Sequence, residues 1–189
     1  MIRLKTLLVG LVLLAAGTPA QAAVIISFYA HHLSSAGLWV EFPHAYVTLI
    51  GTTEAGSLPV KANFGFTPPV VTPAILLGPV NGAVVSARDD YIAVDRPKFS
   101  FSLTDKQYAA VLAVVERWRT APQPSYELDT HNCVIFVREI ATAVGLAVSD
   151  DERFVRSPND FLDDVKARNA AFLARSTSGS GQTAQAAAP

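Results

Sequence analysis

The hydrophobic period of this chain changes once, at Thr104-Asp105-Lys106-Gln107, and that change confines it to one fold class. Upstream, apolar residues come in short runs separated by Gly, Pro and Asn clusters, the pattern of strands and hairpins. Ala23 to Tyr29 is a β-type run, His44 to Ile50 is a second, and Pro59 to Phe66 reads as the returning strand of a hairpin across the Gly51 to Ser57 turn. Residues 70–86 read as a Pro/Gly-interrupted loop with a short strand near Ala83 to Ser86, and Asp90 to Val94 and Lys98 to Leu103 as further short strands. At Thr104 a capping box opens a helix, with Tyr108, Val111, Leu112 and Val115 on its apolar side. A second helix carries Phe136, Val137, Ile140, Ala141 and Val144 and closes at Gly145. Ser157-Pro158-Asn159-Asp160 starts a third. Strands followed by helices predict an α+β domain, an antiparallel sheet packed against helices.

The ends of the 189-residue chain are not expected to join that domain. Arg3 and Lys5, the apolar stretch Leu7 to Ala16 and the Ala20-Gln21-Ala22 site read as a secretory signal over residues 1–22. The apolar stretch is too short for a comfortable membrane span, and no later segment is long and apolar enough to be one. Residues 174–189 read as a disordered tail, since Ser, Gly, Gln and Ala dominate from Ser176 onward. Residues 23–173 remain for one domain, large enough for its own core. The net charge of −1 argues against nucleic acid as a partner.

Cys133 is the one cysteine of a chain expected to be exported. Such an odd cysteine is a reactive thiol, an intermolecular bridge or a small buried hydrophobe. Its position favours the first reading. It directly precedes the second helix, where unpaired backbone N–H groups and the helix dipole favour thiolate. His44, at the start of a strand, is the best general base for it, with a role that needs the two to meet in space. His131 is the rival base, but residues two apart rarely reach the required geometry. His31 and His32 read as loop residues. No histidine pair has metal-ligand spacing, so neither a metal nor another cofactor is expected.

An imidazole acting as base needs a group to orient it. Glu54, Lys61 and Asn63 are on offer; a lysine cannot accept the imidazole N–H, and Asn63, on the strand after His44, is the choice. Asn132 is a candidate oxyanion donor beside the Cys133 N–H, or equally a helix cap. Tyr126 and Asp129 are placed at the cleft.

Three stretches together resemble the permuted papain-like superfamily: His44-Ala45-Tyr46-Val47, Asn63-Phe64-Gly65-Phe66 and Asn132-Cys133-Val134-Ile135-Phe136-Val137. That group includes circularly permuted NlpC-type cysteine hydrolases and lecithin–retinol acyltransferase-like proteins, in which the His-bearing strand precedes the Cys-bearing helix. The resemblance covers roughly residues 39–146 and implies a permuted papain-like fold and a Cys/His pair. It also implies a third polar residue on the strand after the histidine; many members carry a histidine there, and Asn63 stands in that place. Substrates in the group include peptidoglycan peptides, other amides and lipid acyl groups.

The expectation is therefore an exported, periplasmic cysteine hydrolase that cleaves an amide bond through the Cys133–His44 pair and a thioester acyl-enzyme, in the first instance in a peptidoglycan peptide. The alternatives are a lipid acyltransferase or thioesterase using the same pair, and a non-catalytic envelope protein.

Overall fold

The structure, a computed structural model, describes residues 23–31, 34–36, 39–41, 43–54 and 59–176. The expected signal at 1–22, His32, the turn residues Ala55 to Ser57 and the tail beyond 176 lie outside the described residues.

Strands β1 (Val24–His31), β4 (His44–Thr52), β5 (Pro59–Thr67), β6 (Ala83–Val85) and β7 (Phe99–Leu103) form one antiparallel sheet in the order β6-β5-β4-β1-β7. Two three-residue strands, β2 (Ser34–Ala36) and β3 (Trp39–Glu41), pair separately between β1 and β4. Alternation dictates what each face of the sheet does. Ile26, Phe28, Val47, Leu49 and Phe101 point to one side and form the core with the helices. Helices α2 (Asp105–Arg119), α3 (Cys133–Ala143) and α4 (Pro158–Arg168) contribute residues such as Val115, Phe136, Ile140 and Phe161 to that core. Each such fully buried side chain contributes on the order of 1.5–3 kcal/mol. The α+β class read from the sequence is the observed one.

Local chemistry sets the helix ends. Thr104 Oγ1 accepts from Gln107 N at 3.3 Å while Gln107 Oε1 accepts from Thr104 N at 3.0 Å, the expected capping box. Gly145 takes φ +87° after α3, and its N–H and that of Leu146 return to Thr142 O and Ala141 O at 2.9 and 3.0 Å. At α4 Pro158 occupies the first turn as expected, but Ser157 makes no cap bond to the backbone; its hydroxyl meets Asp160 instead.

Two expectations are corrected. Asp90 to Val94 is not a strand: it lies in a short helix, α1 (Asp89–Val94), with Asp89 and Asp90 at the N-terminal end where negative charge is favoured. The helical backbone also runs on over 170–176, past the expected domain end at 173, with Leu173 buried against the core.

Candidate active site

Helix α3 begins at Cys133 because Asn132 caps it with every hydrogen bond its side chain has to offer. Its Oδ1 accepts from Val134 N at 2.8 Å and Ile135 N at 3.1 Å. Its Nδ2 donates to Leu128 O at 2.5 Å and Val155 O at 2.8 Å. The side chain is buried and fully engaged, so it is a cap and no oxyanion donor. The amide joins three segments, 128, 155 and the helix start, and thereby fixes where the cysteine sits.

Cys133 and His44 line the same cavity, of about 580 Å³, at the end of the sheet where β4 begins. They approach it from different sides. Ala45 lies in the core with α3, whereas His44, one residue earlier, shares its face with Tyr46 and His31. The link between the two sides is backbone: the N–H groups of Ala45, of Val134 and of Cys133 itself act on the sulfur, each favouring the thiolate. No hydrogen bond among the described residues joins the imidazole to the thiol.

Burial decides the charge state of both groups. It pushes the Cys133 thiol up to about 11, against the pull of those three N–H groups. The expectation that the helix start would favour thiolate is thus overturned: desolvation exceeds the helix-end effect. Burial, followed by the neighbouring His31, lowers His44 to about 4. At neutral pH the resting pair is thiol and neutral imidazole.

The imidazole of His44 rests on Gly65: a Cβ there would lie 2.7 Å from Nε2. Asn63, the expected orienting residue, is on the same strand but does not reach the pair. It stands opposite Thr48, four residues along β4 from His44, and strand rise makes that roughly 13 Å. Its amide is taken by Ala87, whose N–H it accepts at 2.6 Å and whose carbonyl it meets at 3.2 Å.

The neighbour of His44 is His31, which is no loop residue. It ends β1 directly opposite His44, with ring centroids 6.1 Å apart. Tyr91 Oη lies 2.8 Å from His31 Nε2, and Asp95 Oδ2 lies 3.7 Å from His31 Nδ1. Tyr46 Oη donates to the same Asp95 oxygen at 3.0 Å. Sequence reading missed this group because it is assembled by β1–β4 register and by α1. The only local trace was that the β1 alternation runs on to His31.

His131 is elsewhere. Its ring stacks on Trp118 at 3.8 Å between centroids, meets the edge of Phe66, and hydrogen-bonds Ser125 O through Nδ1. It is a packed structural histidine, absent from the cavity wall. Tyr126 does line the cavity. Burial and then the proximity of Cys133 raise its hydroxyl above the ordinary range, so it stays an O–H donor. Asp129 pairs with Arg156 at 2.6 and 2.8 Å, and those hydrogen bonds hold its carboxyl below the usual range. Among the described residues, no group of three or more His, Cys, Asp or Glu is placed to hold a metal ion.

No protein-family model matches this chain, and no curated protein matches it. Among solved structures it is similar to the crystal structure of a type VI secretion system effector, TseH. That likeness has a TM-score of 0.50 at 15% identity and covers 78% of this chain and 90% of that one. It is a likeness of fold.

Proposed function

We propose that the protein is an exported cysteine hydrolase of the permuted papain-like type, with Cys133 as nucleophile and His44 as general base. The observation that carries this reading is the shared cavity: a helix-start thiol and an imidazole with no hydrogen bond among the described residues line one space, with the His-bearing strand preceding the Cys-bearing helix. That its structural neighbour is a secretion-system effector is in keeping with export.

Because both groups rest neutral, proton transfer accompanies attack. The sulfur bonds to the substrate carbonyl carbon as its proton passes to His44, which the substrate complex must bring to the thiol; such contacts commonly tighten only on binding. The N–H groups of Cys133 and Ala45, which favour negative charge at the sulfur, and the Tyr126 hydroxyl are the donors for the oxyanion. His44 then protonates the departing amine or alcohol, leaving a thioester. Water attacks this, gives its proton to His44, and the acid leaves as the thiol is restored. His31, held by Tyr91 and Asp95, positions the imidazole in place of Asn63.

An amide in peptidoglycan is the substrate expected from export. A second reading, an ester or thioester of an apolar acyl group, is favoured by the cavity wall. Among the described residues no carboxylate lines it, and the two guanidinium groups that do, Arg88 and Arg156, are already paired with Asp90 and Asp129.

The test combines turnover of muropeptide fragments and p-nitrophenyl esters with the pH profile of Cys133 alkylation. Turnover should fall at least ~10³-fold in Cys133→Ser. Alkylation should be slow at neutral pH and climb toward pH 11. Turnover that survives Cys133→Ser would sink the proposal.

A further inference from the structure

A second cavity, of about 280 Å³, lies on the face of the sheet turned away from the core. Val47 and Leu49 point inward, so alternation turns Thr48 outward into this space, beside Ile50. Asp89, Ile92 and Ala93 of α1 close the cavity from the other side, and Lys61 and Asn63 of β5 bound it.

Two features mark this space as a binding site. Thr48 is only 3% exposed, yet its hydroxyl has no hydrogen-bond partner among the described residues. The oxygen is not sealed off either, so it opens onto the cavity. A buried hydroxyl left without a partner is unfavourable unless something in the cavity bonds it. At the lip, Lys61 Nζ meets Asp89 Oδ2 at 2.7 Å, both side chains being largely exposed. Such an exposed pair contributes little and opens easily.

The lip fixes the charge class of the ligand. An anion brought to Lys61 also meets Asp89, and a cation brought to Asp89 also meets Lys61. A molecule carrying both charges satisfies both groups. Lys61 stands opposite Ile50 and so is diagonal to Thr48, roughly 7–8 Å away, a span that its long side chain and one carboxylate bridge. The remaining walls are aliphatic, Ile50, Ile92 and Ala93, and the volume is at the low end for small-molecule sites.

Helix α1 separates this cavity from the one that holds Cys133. Asp89, Ile92 and Ala93 line the second cavity, whereas Tyr91 and the preceding Arg88 line the first. The helix buries none of its own residues, and Arg88 at its start makes no side-chain cap. Contacts at its edges hold it: Lys61 to Asp89, Tyr91 to His31, and Tyr46 to Asp95.

We propose that the second cavity binds a small aliphatic α-amino acid, its carboxylate between Lys61 and Thr48 and its ammonium on Asp89, and that occupation steadies α1 and with it the Tyr91–His31 contact behind His44. The coupling half of this inference rests on the hydrolase reading above; the binding half does not. Because the cavity is open with α1 in place, a ligand there favours this arrangement and raises activity.

The experiment titrates the isotope-labelled protein with L-valine by NMR, beside isobutylamine and isovalerate, which each lack one of its two charges. L-Valine should give saturable shifts at the amides of Thr48, Lys61 and Ile92, and the single-charge probes should bind at least ~10-fold more weakly. Thr48→Val, which removes the hydroxyl and keeps the shape, and Lys61→Glu, at an exposed position, should each weaken L-valine at least ~10-fold with the rest of the spectrum retained. No saturable shift with L-valine overturns the site, as do shifts confined to residues of the first cavity such as Ala87 and Tyr126. Equal binding of isovalerate or isobutylamine overturns the ligand class. In p-nitrophenyl ester assays, saturating L-valine should raise kcat/KM about fivefold or more, and Thr48→Val should keep the basal rate and lose the response. Binding with an unchanged rate overturns the coupling. Shifts that persist in a protein with no Cys133-dependent turnover remove the hydrolase reading and leave the site.

Discussion

His44 and His131 sit in aromatic surroundings at similar depth, and they differ in what their nitrogens have left to do. His131 is stacked on Trp118, edged by Phe66 and hydrogen-bonded to Ser125 O. His44 has ring neighbours in His31 and Tyr46, but no hydrogen bond among the described residues ties its nitrogens, and it faces a cavity. Nearness to Cys133 along the chain made His131 a rival base but counted against its geometry; unfilled hydrogen-bonding capacity beside an open space favours His44. A fold satisfies the polar groups that only support it and leaves open those that meet something else.

The largest expected effect separates the two histidines directly. His44→Ala should lower kcat/KM by about 10²- to 10⁴-fold with a near-unchanged melting temperature. His131→Ala should cost ~2–3 kcal/mol of stability, read by urea unfolding, and leave kcat within a few-fold. Exchanged outcomes would break the comparison.

A second effect is on acid stability. Unfolded, His44 protonates near 6.5; folded, only near 4. Between these values the unfolded chain binds more protons, so stability is full above about pH 6.5 and falls as pH drops toward 4. The loss from this group is up to ~3 kcal/mol. Urea midpoints measured across that window should show the slope, and His44→Gln should remove it.

The smallest effects sharpen the assignment of the orienting group. Gly65→Ala places a methyl group against His44 Nε2 and should reduce turnover by about tenfold or more through a displaced base. Asn63→Ala on the same strand should leave turnover within about twofold and cost ~1 kcal/mol, from its bonds to Ala87. Loss of turnover in Asn63→Ala alone would restore it as the orienting residue.

What could be read from the sequence was whatever is decided within a few residues. The Thr104 capping box, the Gly145 helix end and the Asn132 cap are local hydrogen-bond problems, and their solutions are visible in residue type. Asp90 to Val94 misled because Tyr91, Ile92 and Val94 favour strands, while the helix rests on its acidic first turn and on tertiary contacts such as that of Tyr91 with Tyr46. Asn63 misled differently. Its strand does neighbour that of His44, but register, a long-range property, puts it opposite Thr48. The same register sets His31 opposite His44, which no local pattern announces. The charge state of Cys133 was misjudged because a helix start is local and burial is not.

The high proton affinity of the Cys133 thiol has a consequence for how the molecule ages. Peroxides and disulfides are attacked by, or attack, the thiolate. A sulfur that keeps its proton to about pH 11 offers them very little of it. In an oxidising compartment an acidic lone cysteine would be converted to sulfenic acid or a mixed disulfide while waiting for substrate. This one would persist in reduced form without a partner to regenerate it.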